Sequence, residues 1–125
     1  MEAPSQSPHL QRGRAGEEHA CTFLSHKGCQ ILERNWRHRH LEVDIVACEA
    51  GTLIFVEVKT RQAGGLTEPW QAVDLKKQRN LIRAANAYIR QKKSLLEVRF
   101  DIISVSISNA TIEIVHIPNA FQPRF

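Results

Sequence analysis

The stretch Leu53-Ile54-Phe55-Val56-Glu57-Val58-Lys59 decides the architecture. Along an extended chain successive side chains point to opposite faces, so Leu53, Phe55, Glu57 and Lys59 share one face and Ile54, Val56 and Val58 the other. Both faces begin apolar, the pattern of a central strand covered on two sides. Burying Glu57 and Lys59 at its far end is unfavourable unless they pair or bind something. A satisfied Glu57–Lys59 pair, or a strand running out into solvent, explains this segment alone as well as a functional site does.

Upstream, Val43 to Cys48 gives a second strand signal, joined through Glu49-Ala50-Gly51-Thr52. An antiparallel hairpin centred between Ala50 and Gly51 sets Asp44 directly opposite Glu57, with Cβ atoms about 4.5–5.5 Å apart. Carboxylates that close repel, and one holds its proton to higher pH unless a cation intervenes. Lys59 is one such cation; a divalent metal would be a stronger one. The argument depends on register, because a one-residue bulge turns Asp44 to the opposite face.

Outward from the hairpin the chain reads α-β-β-β-α-β-β. A helix is expected from Ala15 to Lys27, stopped by Gly28, then a strand from Ile31 to Arg37. Gln62 to Trp70 reads as a loop and Gln71 to Gln91 as an amphipathic helix. Val98 to Ile107 and Thr111 to Ile117 form a closing strand pair around Ser108-Asn109-Ala110. The Pro-punctuated end keeps Phe121 and Phe125 as docking anchors. Residues 1–12, rich in Pro, Ser and Gln, read as a flexible tail, and residues 13–125 as a single domain. The order predicts an α/β sandwich on a central mixed sheet.

Two helical residues break the apolar pattern. Glu17 is followed at i+3, i+4 and i+7 by Ala20, Cys21 and Leu24, which places it on the core-facing stripe. An acid near a helix N-terminus is also a favourable dipole partner, and that explains Glu17 equally well. Lys77 extends the stripe of Leu81, Ala85 and Tyr88. Its stem can snorkel along that surface, or its ammonium can point at the carboxylates. Glu18, Lys76 and Arg79 look outward.

The formal net charge of +4 permits a polyanionic partner without demanding one. Arg37, His38, Arg39, His40, Arg61, Lys76, Arg79 and Arg83 could neutralise a nucleic-acid backbone or form an ordinary basic surface. Three cysteines at irregular spacing, Cys21, Cys29 and Cys48, argue against a disulfide framework and for a reducing compartment. With no C-x-x-C pair they also argue against structural zinc. The N-terminus lacks an apolar signal core, and no apolar run approaches the ~20 residues that span a bilayer. The expected location is the cytoplasm, with no membrane partner.

Asp44 followed by Glu57-Val58-Lys59 in a hydrophobic hairpin resembles the D…ExK signature of the PD-(D/E)xK nuclease superfamily, which has the restriction-endonuclease-like fold. More closely, the chain resembles the YraN or UPF0102 family. The matching pieces are Gly13-x-x-Gly16-Glu17-x-x-Ala20, Arg34-Asn35-Trp36-Arg37, Glu42-Val43-Asp44, Phe55-Val56-Glu57-Val58-Lys59-Thr60-Arg61, Ala72-Val73-x-x-x-Lys77, Arg99-Phe100-Asp101 and Asn119-Ala120-Phe121. They occur in family order along nearly the whole chain. One departure is Leu41, where the family pattern usually has Gly, and it bears on strand entry and access to Asp44.

The resemblance implies a metal-dependent endonuclease that hydrolyses phosphodiester bonds in nucleic acid, DNA in the first instance. It implies Mg²⁺ or Mn²⁺ held by Asp44, Glu57 and the Val58 carbonyl, with Glu17 at the outer edge. Lys59 would orient or help deprotonate the attacking water, and Lys77 would contact phosphate or Glu57. Arg37, Arg39, Arg61, Lys77 and Arg79 are the expected nucleic-acid contacts, and a homodimer is compatible with this reading. The competing reading is a non-catalytic nucleic-acid-binding module of the same fold, which would not need Asp44, Glu57 and Lys59 together.

Overall fold

A computed structural model describes residues 8–62 and 73–123. The elements are α1 (Pro8–His26), β1 (Gln30–His38), β2 (Leu41–Glu49), β3 (Thr52–Gln62), α2 (Leu75–Lys92), β4 (Glu97–Ile107) and β5 (Ile112–Phe121). The five strands form one sheet in the order β1-β2-β3-β4-β5. All neighbours are antiparallel except β3 and β4, which run parallel with α2 as the crossover. This is the α/β sandwich on a mixed sheet that the sequence predicts, and it is consistent with the restriction-endonuclease-like arrangement.

β3 is covered on both faces. Ile54 and Val56 join Ala20, Cys21 and Leu24 of α1 in one buried cluster. Leu53 and Phe55 join Leu81, Ala84, Ala85 and Tyr88 of α2 in the other. Burying a side chain of this size contributes roughly 1.5–3 kcal/mol, so the two clusters pin each helix to its own face. Gly28, at φ 96, stops α1 as expected, with the Cys29 N–H donating to the Leu24 carbonyl at 3.0 Å. At the hairpin, Ala50 and Gly51 both have positive φ, 49 and 81, the type I′ geometry that suits strand twist.

The element ends differ from expectation in places. α1 begins at Pro8, not Ala15. Proline is tolerated in a first helical turn, and nothing between it and Ala15 forces a break. The expected tail therefore lies outside the described residues up to residue 7, and residues 8–12 continue the helix backbone. The expected Gln62–Trp70 loop falls outside the described residues beyond residue 62. α2 starts at Leu75, where Asp74 caps it by accepting the Lys77 N–H at 2.9 Å. β5 extends to Phe121, whose ring stacks on Phe100 at 5.1 Å, so the Phe121 anchor docks; Phe125 lies outside the described residues.

Candidate active site

The register of the central hairpin runs from Glu49↔Thr52 to Ile45↔Val56 and then stops. It is the register that sets Asp44 opposite Glu57, but the ladder ends one pair before them. The ladder on the other side of β2 is irregular at the same level. Arg34 pairs Ile45 and Trp36 pairs Val43, while Asn35, which faces Asp44 between them, has a left-handed φ of 51. Beyond this point β2 changes face. Simple alternation would group Val43 with Ile45, yet Val43 and Leu41 pack with Val46 in the α2-side cluster. β2 thus peels away from β3 at Asp44, and the gap is the mouth of a cleft.

Asp44 occupies the gap through its side chain. The Val58 N–H, aimed at β2, donates to Asp44 Oδ2 at 2.8 Å in place of a ladder bond. In an antiparallel strand the N–H and C=O of one residue point to the same side, so the Val58 carbonyl faces the same gap. The cleft has a volume of about 450 Å³. Asp44, Glu57, Val58 and Lys59 form its floor, and Lys77, Asn80 and Leu81 of α2 its wall. His40, Leu41 and Glu42 close the third side.

Glu57 is 5% exposed. Its Oε1 lies 3.0 Å from Lys77 Nζ and 3.5 Å from Lys59 Nζ, so the strand-end cation and the helical cation meet on one carboxylate. Lys77 holds its proton more tightly than an ordinary lysine, because the charge and hydrogen bond of Glu57 outweigh the opposing effect of burial. Asp44 moves the other way for an acid. Burial first, and the Glu57 charge second, push its pKa up to about 7 against the Val58 N–H, which favours the ionised form; Glu17 and Glu42 add to the rise.

Asp44, Glu57, Val58, Lys59 and Lys77 are therefore brought together. Glu17 is half-buried on α1 and within electrostatic reach of Asp44. It does not complete a cluster: among the described residues no three His, Cys, Asp or Glu side chains are grouped to hold a metal ion. Glu18 faces outward and pairs with Arg34 at 2.9 Å, as its helix position predicts. Arg37 is exposed and pairs with Glu42 at 3.5 Å, at the cleft edge. Arg39 is exposed in the β1–β2 turn, and Arg61 lies near the end of β3. Arg79 is not brought to the cleft; it lines a separate groove with Leu75, Ile82 and Gln122. The departure at Leu41 has a visible result: the side chain is buried against the α2 cluster and forms part of the cleft wall.

Sequence reasoning missed Asn80 and the cleft role of Glu42. Asn80 follows Lys77 by three residues, so it shares that helix face, and this spacing was the available signal. Among the described residues no helix is long and apolar enough to cross a membrane.

The sequence matches the model of a family described as "Uncharacterised protein family UPF0102" over residues 16–105. A UPF0102 protein of Bacteroides thetaiotaomicron is 44% identical over 115 residues, covering 92% of this chain and 95% of that protein. A UPF0102 protein of Chlorobium chlorochromatii is 44% identical over 129 residues, covering 97% of each. A UPF0102 protein of Lawsonia intracellularis is 41% identical over 111 residues, covering 88% of this chain and 84% of that protein. With a family model matching most of the sequence and relatives this similar along nearly their whole length, the chain belongs to the UPF0102 family.

Proposed function

We propose that the protein is a metal-dependent endonuclease that hydrolyses phosphodiester bonds in nucleic acid, DNA in the first instance. The observation that carries this reading is the convergence of Asp44, Glu57, Val58 and Lys59 where β2 leaves β3, at the floor of an open cleft. Two carboxylates and a backbone carbonyl are hard oxygen donors, which suits Mg²⁺ or Mn²⁺ with the remaining positions left to water and substrate. The high pKa of Asp44 fits such a group, since two acids are held together with less compensation than they need. When bound, the ion would relieve charge on the phosphoryl oxygens and lower the pKa of a coordinated water.

Asp44, Glu57 and the Val58 carbonyl would hold the ion. Lys59, whose ammonium already lies beside Glu57, would orient the attacking water and offset negative charge on the phosphate. Lys77, on the cleft wall, is placed to contact a phosphate oxygen as well as Glu57. Arg37, Arg39 and Arg61 would track the backbone, and binding should weaken with salt accordingly. One observation favours the alternative of a non-catalytic binding module. Lys77, 3.0 Å from Glu57, compensates that carboxylate without any metal.

The test is cleavage of single-stranded, duplex, flap and junction substrates with Mg²⁺ or Mn²⁺, beside melting curves on the same proteins. Wild type should cut and gain thermal stability with metal. Asp44→Ala and Glu57→Ala should stay folded and lose both effects. A wild type that binds nucleic acid but shows no metal-dependent melting shift and no cleavage would establish the binding module instead.

A further inference from the structure

Gly16 lies in α1 immediately before Glu17, at a buried position. A Cβ built there would overlap the Thr60 hydroxyl and sit 3.0 Å from Thr60 Cβ and 3.1 Å from its Cγ2. Rotating Thr60 takes the hydroxyl out of the way only by changing which γ substituent crowds the space, while the remaining Cβ–Cβ approach asks for a shift of just a few tenths of an ångström. Gly13, one turn earlier, would meet no described residue within 4 Å of such a Cβ. No unusual backbone angle explains glycine at position 16, since its φ is not positive. In a helix interior glycine is unfavourable by roughly 1 kcal/mol relative to alanine. The close approach to β3 is what the missing side chain permits.

Thr60 directly follows Lys59 on β3, and alternation puts it with Val58 on the face turned to α1, where Val58 packs on the α1 cluster. Glu57 and Lys59 occupy the opposite face. Glu17, next in α1 after Gly16, is half-buried between the buried Gly16 and Ala20, and Asp44 lies where the β2–β3 ladder ends. We infer that Gly16 is a positioning residue, its contact with Thr60 setting α1 close enough to β3 to hold Glu17 at the gap beside Asp44. The inference rests on the reading of Asp44 and Glu57 as metal carboxylates, with Glu17 acting from the outer edge. A Cβ at position 16 lifts the helix by a few tenths of an ångström and withdraws Glu17 with it.

The experiment is calorimetric titration of Mn²⁺ into the metal-free full chain, with melting curves in EDTA as the control for folding. The variants are Gly16→Ala, Glu17→Gln, their combination, and Gly16→Ala with Thr60→Ala. Gly16→Ala and Glu17→Gln should each weaken Mn²⁺ binding about tenfold, the scale for outer groups around a metal. The combination should be no weaker than either alone. Thr60→Ala, which removes the hydroxyl and Cγ2 from the path, should recover most of the affinity lost in Gly16→Ala. A Gly16→Ala protein that binds Mn²⁺ like wild type while Glu17→Gln does not overturns the inference, as do additive losses in the combination. If Gly16→Ala fails to fold, Thr60→Val applies a milder push, and wild-type affinity there overturns the inference equally. A wild type that binds no Mn²⁺ overturns both this role and the proposed function, a pattern distinct from failure of the Gly16 contact alone.

Discussion

The sheet buries acids at two sites and treats them in opposite ways. Asp101, on β4, is fully buried. It accepts bonds from Arg99 Nε at 2.9 Å and Nη2 at 3.0 Å, from His116 Nε2 at 2.7 Å, and from the Asn119 N–H at 2.9 Å. Lys27 Nζ lies 2.9 Å from His116 Nδ1; with the ammonium donating there, Nε2 carries the proton offered to Asp101. Burial alone would raise the Asp101 pKa, but the His116, Arg99 and Asn119 bonds outweigh it and hold the acid below its usual range. Among the described residues Asp44 has one backbone donor, a second carboxylate for a neighbour and an open cleft in front of it. The same chemical group is a closed structural joint in one place and an uncompensated charge in the other. Burial alone does not mark a site; burial without satisfaction does.

The comparison breaks most visibly by mutation. Asp101→Ala leaves the Arg99 guanidinium and His116 without their partner and should destabilise the fold by about 3–5 kcal/mol in a urea titration. Asp44→Asn keeps an acceptor for the Val58 N–H and removes the repulsion with Glu57. In metal-free protein at pH 8 it should stabilise by on the order of 2–4 kcal/mol, from the displacement of the Asp44 pKa. If Asp44→Asn destabilises as much as Asp101→Ala, the cleft carboxylates are structural and the contrast disappears.

Acidity gives the two sites opposite slopes. Asp101 has a lowered pKa in the folded state, so its contribution is present above the ordinary aspartate pKa of 3.8 and is lost as pH falls through the folded value. The folded pKa of Asp44 is raised to about 7, so the native state holds this proton longer than the unfolded chain. Stability from that group is full below 3.8 and declines as pH rises to about 7. Metal-free wild type should therefore lose stability across that window, and Asp44→Asn should show a shallower decline. Mn²⁺ at a hundredfold its Kd should return about 2.7 kcal/mol to wild type at pH 8 and little to Asp44→Asn. A wild-type profile that is flat from pH 4 to 8 in EDTA would remove the charge conflict on which the metal reading leans.

Much of this was legible before any coordinates. The two-faced pattern of Leu53 to Val58 located the central strand, and the turn at Ala50-Gly51 set its register with β2, because both are local properties of the chain. Helix periodicity placed Lys77 on the buried stripe of α2 but left its ammonium free to snorkel or to point at the carboxylates; Glu57 as its partner came from the family resemblance. What could not be read was the peel of β2 at Asp44. It coincides with a left-handed Asn35 in a neighbouring strand, and cross-strand irregularities leave no mark in either strand's own alternation. The Asp101 joint was hidden for the same reason: Arg99 and Asp101 share a strand, but His116 and Asn119 reach them only through the β4–β5 pairing and its bulge. The helix start at Pro8 was missed because composition spoke for a tail where proline at a first turn was equally acceptable.

The smallest expected effects lie in the cations, and they sharpen the contrast from the other side. Arg99 takes both oxygens of Asp101, Nε on Oδ1 and Nη2 on Oδ2, and His116 adds a second bond to Oδ2, so the buried acid uses both partners at once. Lys59 and Lys77 converge on one atom, Glu57 Oε1, and Lys77 is about half exposed. Each ammonium can compensate for loss of its neighbour, and water screens what remains. Lys59→Ala and Lys77→Ala should therefore each shift metal-free stability by less than about 1 kcal/mol, and neither should gain stability as Asp44→Asn does. Removing both should exceed the sum of the single losses, since Glu57 then faces Asp44 with no cation beside it. A double-mutant cycle in EDTA measures this directly. Simple additivity would mean that Glu57 already relies on solvent rather than on the two lysines. Lys59→Ala should also separate binding from chemistry, keeping Mn²⁺ affinity close to wild type while single-turnover cleavage is lost. Retained cleavage in Lys59→Ala would move the water-orienting role to Lys77, the remaining ammonium beside Glu57 on the cleft wall.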